Sequence, residues 1–246
     1  MRSALVYVDE QLVVVNKAAG VSLATRRSEP NSAARRLLDS IESDELEQWG
    51  LASEDLRLVH RLDAGTTGLV LLARDGETHR KLARAFQTGS VEKTYLALTW
   101  GHPRPEEGQF SWPIGPDLSD RRRMKCDPAG RPSCTRYRTL ARGPHATLLE
   151  LSPQTGRTHQ LRVHLARAGH IIVGDDLYGG ARYRGIKDPH LRSVLNPAHL
   201  LLHAWKIVLP ESCSQDVRAF EAPLPPAFRT ALEELDLVGS LTPTLC

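Results

Sequence analysis

The chain has 246 residues, of which 41% are hydrophobic and 25% are charged, and its formal net charge is +3. These values are typical of folded globular proteins and argue against global disorder, collagen-like repeats and long coiled coils. No apolar run approaches the roughly 18 residues that span a bilayer, and Asp9 and Glu10 interrupt the N-terminal apolar stretch. We therefore expect a cytoplasmic protein with one domain over residues 1–246, ending in a short C-terminal tail at 226–246.

Cysteine usage agrees with a reducing compartment. The four cysteines form no CxxC pair and lie at no short spacing from histidines that would suggest zinc ligands. They are Cys126, Cys134, Cys213 and Cys246. We predict reduced, mostly structural thiols and no metal site.

The basic residues are concentrated in one segment. The stretch from Arg121 to Arg142 contains eight basic residues against one acid, Asp127, and so carries a local charge of +7. Most of these residues are arginine, whose planar guanidinium group matches phosphate oxygens and stacks on bases. The pattern indicates a surface for a polyanion such as RNA, and a solvated arginine-rich face explains it equally well.

The first half of the chain shows a hairpin, a helix, a buried strand and a second helix. Strands are predicted at Ala4–Val8 and Leu12–Val15, and a helix at Ala33–Ile41 begins after Asn31 or Ser32. The acidic segment that follows forms a second helix or a loop. Gly68–Ala73 is almost entirely apolar and predicts a strand buried on both faces. A helix at Gly76–Gln87 has Asp75 as its N-cap and ends at Gly89.

The second half is dominated by strands. An alternating strand is predicted at Val91–Trp100, short strands and loops at Gly101–Gly130, and a helix at Thr158–Ala168. Further strands are predicted at Thr135–Leu140, Thr147–Leu151, Ile171–Val173 and Leu200–Leu209. Strands outnumber helices and do not alternate with them regularly, which favours an α+β fold with a mixed, largely antiparallel sheet and flanking helices.

Three segments contain residues that could perform chemistry. His60–Gly68 has the sequence HRLDAGTTG, Glu92–Ala97 is EKTYLA, and Gln154–His164 is QTGRTHQLRVH and continues to GDDLYG at 174–179. From spacing alone, each segment also has a purely structural explanation. The first is compatible with an Asx turn, the second with a packed strand tyrosine and the third with a basic helix flanked by turns. Each short motif is weak evidence by itself.

In this order, the three segments resemble the RluA family of RNA pseudouridine synthases. The patterns of that family are HRLDxxTSG, KxYxAxxxG and TGRxHQxRxHxxxxGxPIxGDxxYG, after an NKPxG loop that is similar to Asn16–Gly20. Ala18, Thr67 and Ile171 depart from the patterns without removing an acid, a base or a positioning charge. The resemblance covers about residues 4–225, and we expect no N-terminal S4-like RNA-binding module in this chain.

The resemblance implies isomerisation of uridine to pseudouridine within RNA, without a cofactor, in a central catalytic cleft. It places the essential carboxylate at Asp63, which acts either as a nucleophile at C1′ or as a base toward the sugar. Arg162 is implied as the cation that keeps this carboxylate ionised, and Tyr95 as the residue that stacks on the flipped base. An unperturbed tyrosine hydroxyl is a poor base at neutral pH, so we favour stacking over proton abstraction for Tyr95.

The implied partner is ribosomal RNA or transfer RNA, bound by a monomeric enzyme. The residues expected to contact RNA are Arg61, His60, Arg157, His159, Arg121, Arg122, Arg123 and Lys125. Two other hypotheses are a non-catalytic RNA-binding or ribosome-assembly factor on the same fold, and a metal-dependent nuclease that uses Asp63, Asp175 and Asp176. The intact Asp63, Tyr95 and Arg162 favour the synthase.

Overall fold

The computed structural model of the protein describes residues 2–24, 32–51, 56–213 and 218–240. Asn31, one of the two predicted helix caps, and Cys246 lie outside these residues. The described strands are β1 (Ala4–Val8), β2 (Leu12–Lys17), β3 (Arg57–Leu58), β4 (Thr67–Ala73), β5 (Glu92–Trp100), β6 (Glu107–Phe110), β7 (Ile114–Pro116), β8 (Met124–Cys126), β9 (Thr135–Arg142), β10 (Ala146–Pro153), β11 (Leu202–Leu209) and β12 (Arg218–Glu221).

The helices of the described residues are mostly short. They are α1 (Ser32–Leu38), α2 (Ser43–Gln48), α3 (Gly76–Thr88), α4 (Gln160–Arg167), α5 (Pro189–Val194) and α6 (Pro226–Glu234). Single 3₁₀ turns lie at Arg182–Gly185, Glu211–Cys213 and Val238–Ser240. In the part of the chain that is described, no helix has the length and apolar character needed to cross a bilayer.

The chain divides into two compact units. Unit 1 comprises Met1–Lys93 and Ala204–Pro223, and unit 2 comprises Thr94–His203 and Leu224–Cys246. The chain enters unit 2 within β5 and returns to unit 1 within β11. The assignment of all 246 residues to one catalytic domain stays a prediction.

In unit 1, the pairs β1-β2, β2-β4, β3-β4 and β11-β12 are antiparallel, and α3 packs against β4. The strands of this unit lie in the order β1-β2-β4-β11, with β12 paired to β11 and β3 paired to β4. All seven residues of β4 are buried, as the apolar run predicts. The core lies between this sheet and α3, where Leu69 and Leu71 of β4 share a cluster with Leu82 of the helix.

Unit 2 contains antiparallel strands in the order β5-β10-β9-β6 and a separate antiparallel pair β7-β8. Helix α4 packs on β9 and β10 and also contacts β8. Its core contains Leu149 and Leu151 of β10 together with Leu161 and Leu165 of α4. Both units combine antiparallel strands with flanking helices, so the predicted α+β fold class is confirmed.

Several local predictions differ from the structure. Helix α1 ends at Leu38 rather than Ile41, because the chain turns at Asp39, and β11 begins at Leu202 rather than Leu200. Ile171–Val173 is not a strand, because only Ile172 forms a bridge, to Thr99, and the backbone turns immediately afterwards. Helix α4 begins at Gln160 rather than Thr158, because His159 has a left-handed backbone conformation with φ of 55°. The predicted N-cap and stop residue of α3 are confirmed, since the Asp75 carboxylate accepts the Glu77 and Thr78 N–H groups and Gly89 ends the helix at Thr88, one residue after the predicted end at Gln87.

Candidate active site

Asp63 lies in a turn of unit 1 directly before the buried strand β4. Its backbone carbonyl accepts the N–H of Thr66 at 3.1 Å, which closes the turn. The next carbonyl, that of Ala64, accepts the N–H of Gly20 at 2.8 Å, so the loop after β2 holds the turn from the other side. The carboxylate of Asp63 is half-buried and belongs to a backbone segment fixed at both ends.

Lys17 is the buried charge beneath this turn. Its ammonium group donates to the carbonyls of Ala18 at 2.8 Å, Ala64 at 3.0 Å and Val21 at 3.2 Å. Burial lowers the pKa of Lys17 to about 8, and the charge of Asp63 opposes this shift. In the sequence, Lys17 is part of the loop pattern at Asn16–Gly20, and its place at the end of an apolar strand is the signal that identifies it as a buried lysine.

His60 and Arg61 precede Asp63 and differ in their surroundings. His60 Nε2 accepts the N–H of Leu71 at 3.2 Å, and its ring stacks on Phe86 with centroids 4.4 Å apart. Burial, with a smaller contribution from Lys93, lowers the pKa of His60 to about 3. These contacts make His60 a neutral packing residue of unit 1, and RNA contact by His60 stays a prediction. Arg61 is exposed.

Arg162 lies on α4 in unit 2 and forms a buried ion pair with Asp175. The Arg162 Nε to Asp175 Oδ2 distance is 2.7 Å and the Nη2 to Oδ1 distance is 2.8 Å, a bidentate geometry. Arg162 is 9% exposed and Asp175 is 4% exposed. The sequence predicts Asp175 in a turn or, under the nuclease hypothesis, at a metal site, and it does not predict the pairing with Arg162.

The environment of α4 also departs from expectation. Leu161, Leu165 and Ala168 recur at helical spacing and predict one buried stripe with Arg162 on a different face of the helix, whereas Gln160 to Leu165 are all buried. The reason is tertiary, because three strands of unit 2 surround the helix. The side chain of Arg162 is thus held in place by contacts with buried neighbours and does not extend into solvent.

Tyr178 brings together several of the predicted residues. The guanidinium carbon of Arg162 lies 5.0 Å from the centroid of its ring, and that of Arg123 lies 5.2 Å away. The Tyr178 hydroxyl lies 2.8 Å from the backbone nitrogen of Met124 and 2.9 Å from His159 Nδ1. Burial raises the pKa of Tyr178, so it is a neutral phenol at physiological pH.

The remaining predicted residues of unit 2 lie in a strand and a turn. Tyr95 is in β5, opposite Leu151 of β10, and is half-buried against the core of the unit. The side chain of Arg157 donates from Nε to the carbonyl of Pro132 at 3.0 Å. Burial, and then the nearby charge of Arg131, lower the pKa of Arg157.

Carboxylates neutralise about half of the basic segment. Ion pairs join Arg122 to Asp120 at 2.7 Å, Lys125 to Asp127 at 3.5 Å, Arg138 to Glu150 at 3.2 Å and Arg142 to Glu106 at 3.1 Å. Three other arginines of the segment are exposed and form no ion pair with any described residue. They are Arg121, Arg131 and Arg136. The local charge available to a polyanion is therefore smaller than the composition indicates.

The predicted residues are distributed over both units. Asp63, His60 and Arg61 belong to unit 1, whereas Tyr95, Arg162 and the other predicted RNA contacts belong to unit 2. Within unit 2, Arg162, His159 and Arg123 meet around Tyr178. Across the described ranges, no three His, Cys, Asp or Glu side chains are grouped so that they could hold a metal ion.

Comparison with known proteins identifies one family, both by a family model and by individual relatives. Residues 11–167 match the family model described as RNA pseudouridylate synthase. The dual-specificity RNA pseudouridine synthase RluA of Pasteurella multocida is 35% identical, over 91% of this chain and 93% of that protein. The ribosomal large subunit pseudouridine synthase D of Nitrosomonas europaea is 34% identical, over 94% of this chain and 64% of that protein.

Solved structures show the same likeness. Human RNA pseudouridylate synthase domain containing 4 superposes with a TM-score of 0.73 at 26% identity, covering 95% of this chain and 93% of that one. Human RNA pseudouridylate synthase domain containing 1 gives a TM-score of 0.71 at 26% identity, covering 98% of this chain and 96% of that one.

Proposed function

The chain belongs to the RNA pseudouridylate synthase family and is an isomerase, and from this premise we propose that it modifies uridines in ribosomal RNA, transfer RNA or both, with Asp63 as the essential carboxylate. The observation that supports Asp63 is its turn, which is closed by Thr66 and lies over the buried ammonium of Lys17. The ammonium of Lys17 places a positive charge beneath this turn, and the charge of Asp63 partly opposes the burial that lowers the pKa of Lys17.

The reaction rearranges bonds without redox change. The C1′–N1 bond breaks, the uracil turns, C1′ bonds to C5, the C5 proton leaves and N1 gains a proton. The Asp63 carboxylate acts either as a nucleophile at C1′ or as a base toward the sugar, and both roles require its ionised form. No electron acceptor or group donor enters this balance.

Tyr95 and Arg162 are the other residues we assign to the reaction. The target base must leave its helical stack before it can turn, which costs a few kcal/mol. We assign the ring of Tyr95 to stacking on the flipped base, since base–aromatic stacking returns about 1–3 kcal/mol. Arg162, already oriented by Asp175, supplies the fixed positive charge of the site.

RNA binding is assigned to Arg61 and to basic residues of unit 2. Arginine contacts to phosphate position an RNA without reading its sequence, whereas loops and flipped bases are recognised by shape. The residues proposed in unit 2 are Arg157, His159, Arg121, Arg122, Arg123 and Lys125. One relative is named for the ribosomal large subunit, which supports ribosomal RNA as a substrate, and another is named a dual-specificity enzyme, which supports more than one RNA target. We further propose a cytoplasmic monomer.

The deciding experiment is tritium release from unmodified ribosomal and transfer RNA labelled at uracil C5, in the presence of a chelator. Wild-type protein should release tritium, because C5 exchanges its hydrogen for the bond to C1′. Asp63→Asn keeps the shape but removes the charge and should be slower by at least about 10³-fold. Asp176→Asn is the matched control, since Asp176 is exposed and next to the ion-paired Asp175, and should retain wild-type release.

Three results would contradict the proposal. Release by Asp63→Asn at the wild-type rate would remove Asp63 as the essential carboxylate. Binding of both RNAs without any release by wild-type protein would favour a non-catalytic RNA-binding factor. Activity that requires a divalent ion and Asp176 would instead favour the nuclease.

A further inference from the structure

Tyr178 lies where three parts of unit 2 meet. Its ring contacts a guanidinium group from α4 and another from the segment between β7 and β8, and its hydroxyl contacts the first residue of β8. Its own N–H donates to Asp175 Oδ1 at 3.3 Å, the carboxylate oxygen that also accepts from Arg162. One side chain thus touches the ion pair, the helix start and the hairpin.

The hydroxyl of Tyr178 has two hydrogen-bond partners. The backbone N–H of Met124 can only donate, so the Tyr178 oxygen accepts at 2.8 Å. The same hydroxyl lies 2.9 Å from His159 Nδ1, so a second hydrogen bond joins the two side chains. This bond also restrains a residue in the left-handed backbone region, which is costly outside glycine.

The ring contacts two arginines that differ in their other partners. Arg162 has the carboxylate of Asp175 as well as the ring. Arg123 Nε is buried without a hydrogen-bond partner in the described residues, and the guanidinium group lies over the ring while its charge also acts on Asp117 and Asp120. A cation over a tyrosine ring is worth about 0.5–2 kcal/mol, enough to select one side-chain arrangement among several.

We propose that Tyr178 is a positioning residue of the synthase: its ring orients Arg162 for the reaction, and its hydroxyl anchors the β7–β8 hairpin and His159 for RNA binding. This inference rests on the proposed function, because the roles of Arg162, Arg123 and His159 come from it. The two parts of the side chain therefore serve different steps. The ring affects turnover, and the hydroxyl affects the affinity for RNA.

Two substitutions separate these parts. Tyr178→Phe keeps the ring and removes the hydroxyl, and we expect KM for RNA to rise about 3- to 10-fold while kcat stays within about 2-fold. Tyr178→Leu removes both, and kcat should also fall about 10-fold. Both parameters are measured by tritium release at varied RNA concentration. Tyr137→Phe and Tyr137→Leu are matched controls in the same unit, since Tyr137 is buried and its hydroxyl bonds to the Pro105 carbonyl at 3.3 Å.

The proposal is overturned if Tyr178→Leu has wild-type kcat and KM, or if the two substitutions lower kcat equally. A loss that follows only the folded fraction, as expected for the Tyr137 variants, also overturns it. Hydrogen exchange of the Met124 amide, followed by NMR without RNA, should accelerate at least about 10-fold in Tyr178→Phe. An unchanged Met124 exchange rate refutes the anchoring role even if wild-type protein proves inactive on the chosen RNA, so the two failures are distinguishable.

Discussion

Lys17 and His164 are polar side chains that the fold buries completely, and the hydrogen-bonding atoms of each have several partners. Lys17 has three carbonyls as acceptors. His164 Nδ1 lies 3.0 Å from the Thr135 hydroxyl, and Nε2 lies 3.0 Å from the Ser133 hydroxyl and from the Trp112 carbonyl. A buried polar group without partners costs about 1–3 kcal/mol, so such residues hold their surroundings in one arrangement.

His60 makes the stability of the protein depend on pH. Its folded pKa of about 3 is below its ordinary value of 6.5, so between these values the unfolded chain binds more protons. Stability is therefore lost as the pH falls below 6.5. In His60→Gln, the amide oxygen can still accept the Leu71 N–H. Between pH 7 and pH 5, the free energy of unfolding of this variant should fall by about 1–2 kcal/mol less than that of wild type.

Urea denaturation at the two pH values measures this difference. His145→Gln is the control, because His145 is exposed, and its acid sensitivity should equal that of wild type. Equal losses of stability in His60→Gln and wild type would show that His60 does not carry the effect.

At the scale of elements, β4 and the turn before it form the support of Asp63. Gly68, the second residue of β4, has φ of +108°, and a Cβ built there would lie 2.3 Å from the carbonyl oxygen of Ala204 in β11. Only glycine permits both this backbone conformation and this close approach of two strands. The first motif therefore ends in glycine for a structural reason: Gly68 packs against Ala204, a residue that is distant in the sequence.

Gly68→Ala should therefore destabilise the protein by at least about 3 kcal/mol, through strain and steric overlap. Gly76→Ala, in the first turn of α3, meets no atom within 4 Å and should be neutral or stabilising by up to about 1 kcal/mol. Chemical denaturation of both variants compares the two sites. A Gly68→Ala protein within about 0.5 kcal/mol of wild type would refute the close approach.

At the scale of the whole molecule, the net charge of +3 is small. The charge available to bind RNA therefore depends more on which basic residues are in ion pairs than on the net charge. Arg122 donates from its backbone N–H and from Nε to Asp120 Oδ1, each at 3.0 Å. These hydrogen bonds lower the pKa of Asp120 to about 2, so this carboxylate stays ionised under all working conditions. It competes with RNA phosphate for Arg122.

Asp120→Asn should therefore strengthen RNA binding and steepen the dependence of log Kd on log salt by about 0.7, the value for one additional phosphate contact to a single strand. Asp39→Asn is the control, because it makes the same change in net charge at an exposed site in unit 1. Titrations of labelled RNA at several salt concentrations measure both slopes. Equal slopes in the two variants would mean that Arg122 does not gain a phosphate.

The sequence by itself determined the local elements and the family. The apolar run of β4, the Asp75 cap and the Gly89 stop of α3 depend on neighbours within a few residues, and these predictions are confirmed. The ordered motifs around Asp63, Tyr95 and Arg162 were sufficient to identify an RNA pseudouridine synthase, which the comparisons confirm.

Only the tertiary structure decided which polar groups meet. Lys17 reaches the Ala64 carbonyl 47 residues away, and the Tyr178 hydroxyl reaches the Met124 amide 54 residues away. The burial of α4 on more than one side likewise depends on strands distant in sequence, which is why its amphipathic pattern was misleading. The periodicity of apolar residues indicates which face of a helix or strand is buried. Hydrogen bonds and ion pairs between elements depend on how the fold brings distant segments within about 3 Å of each other.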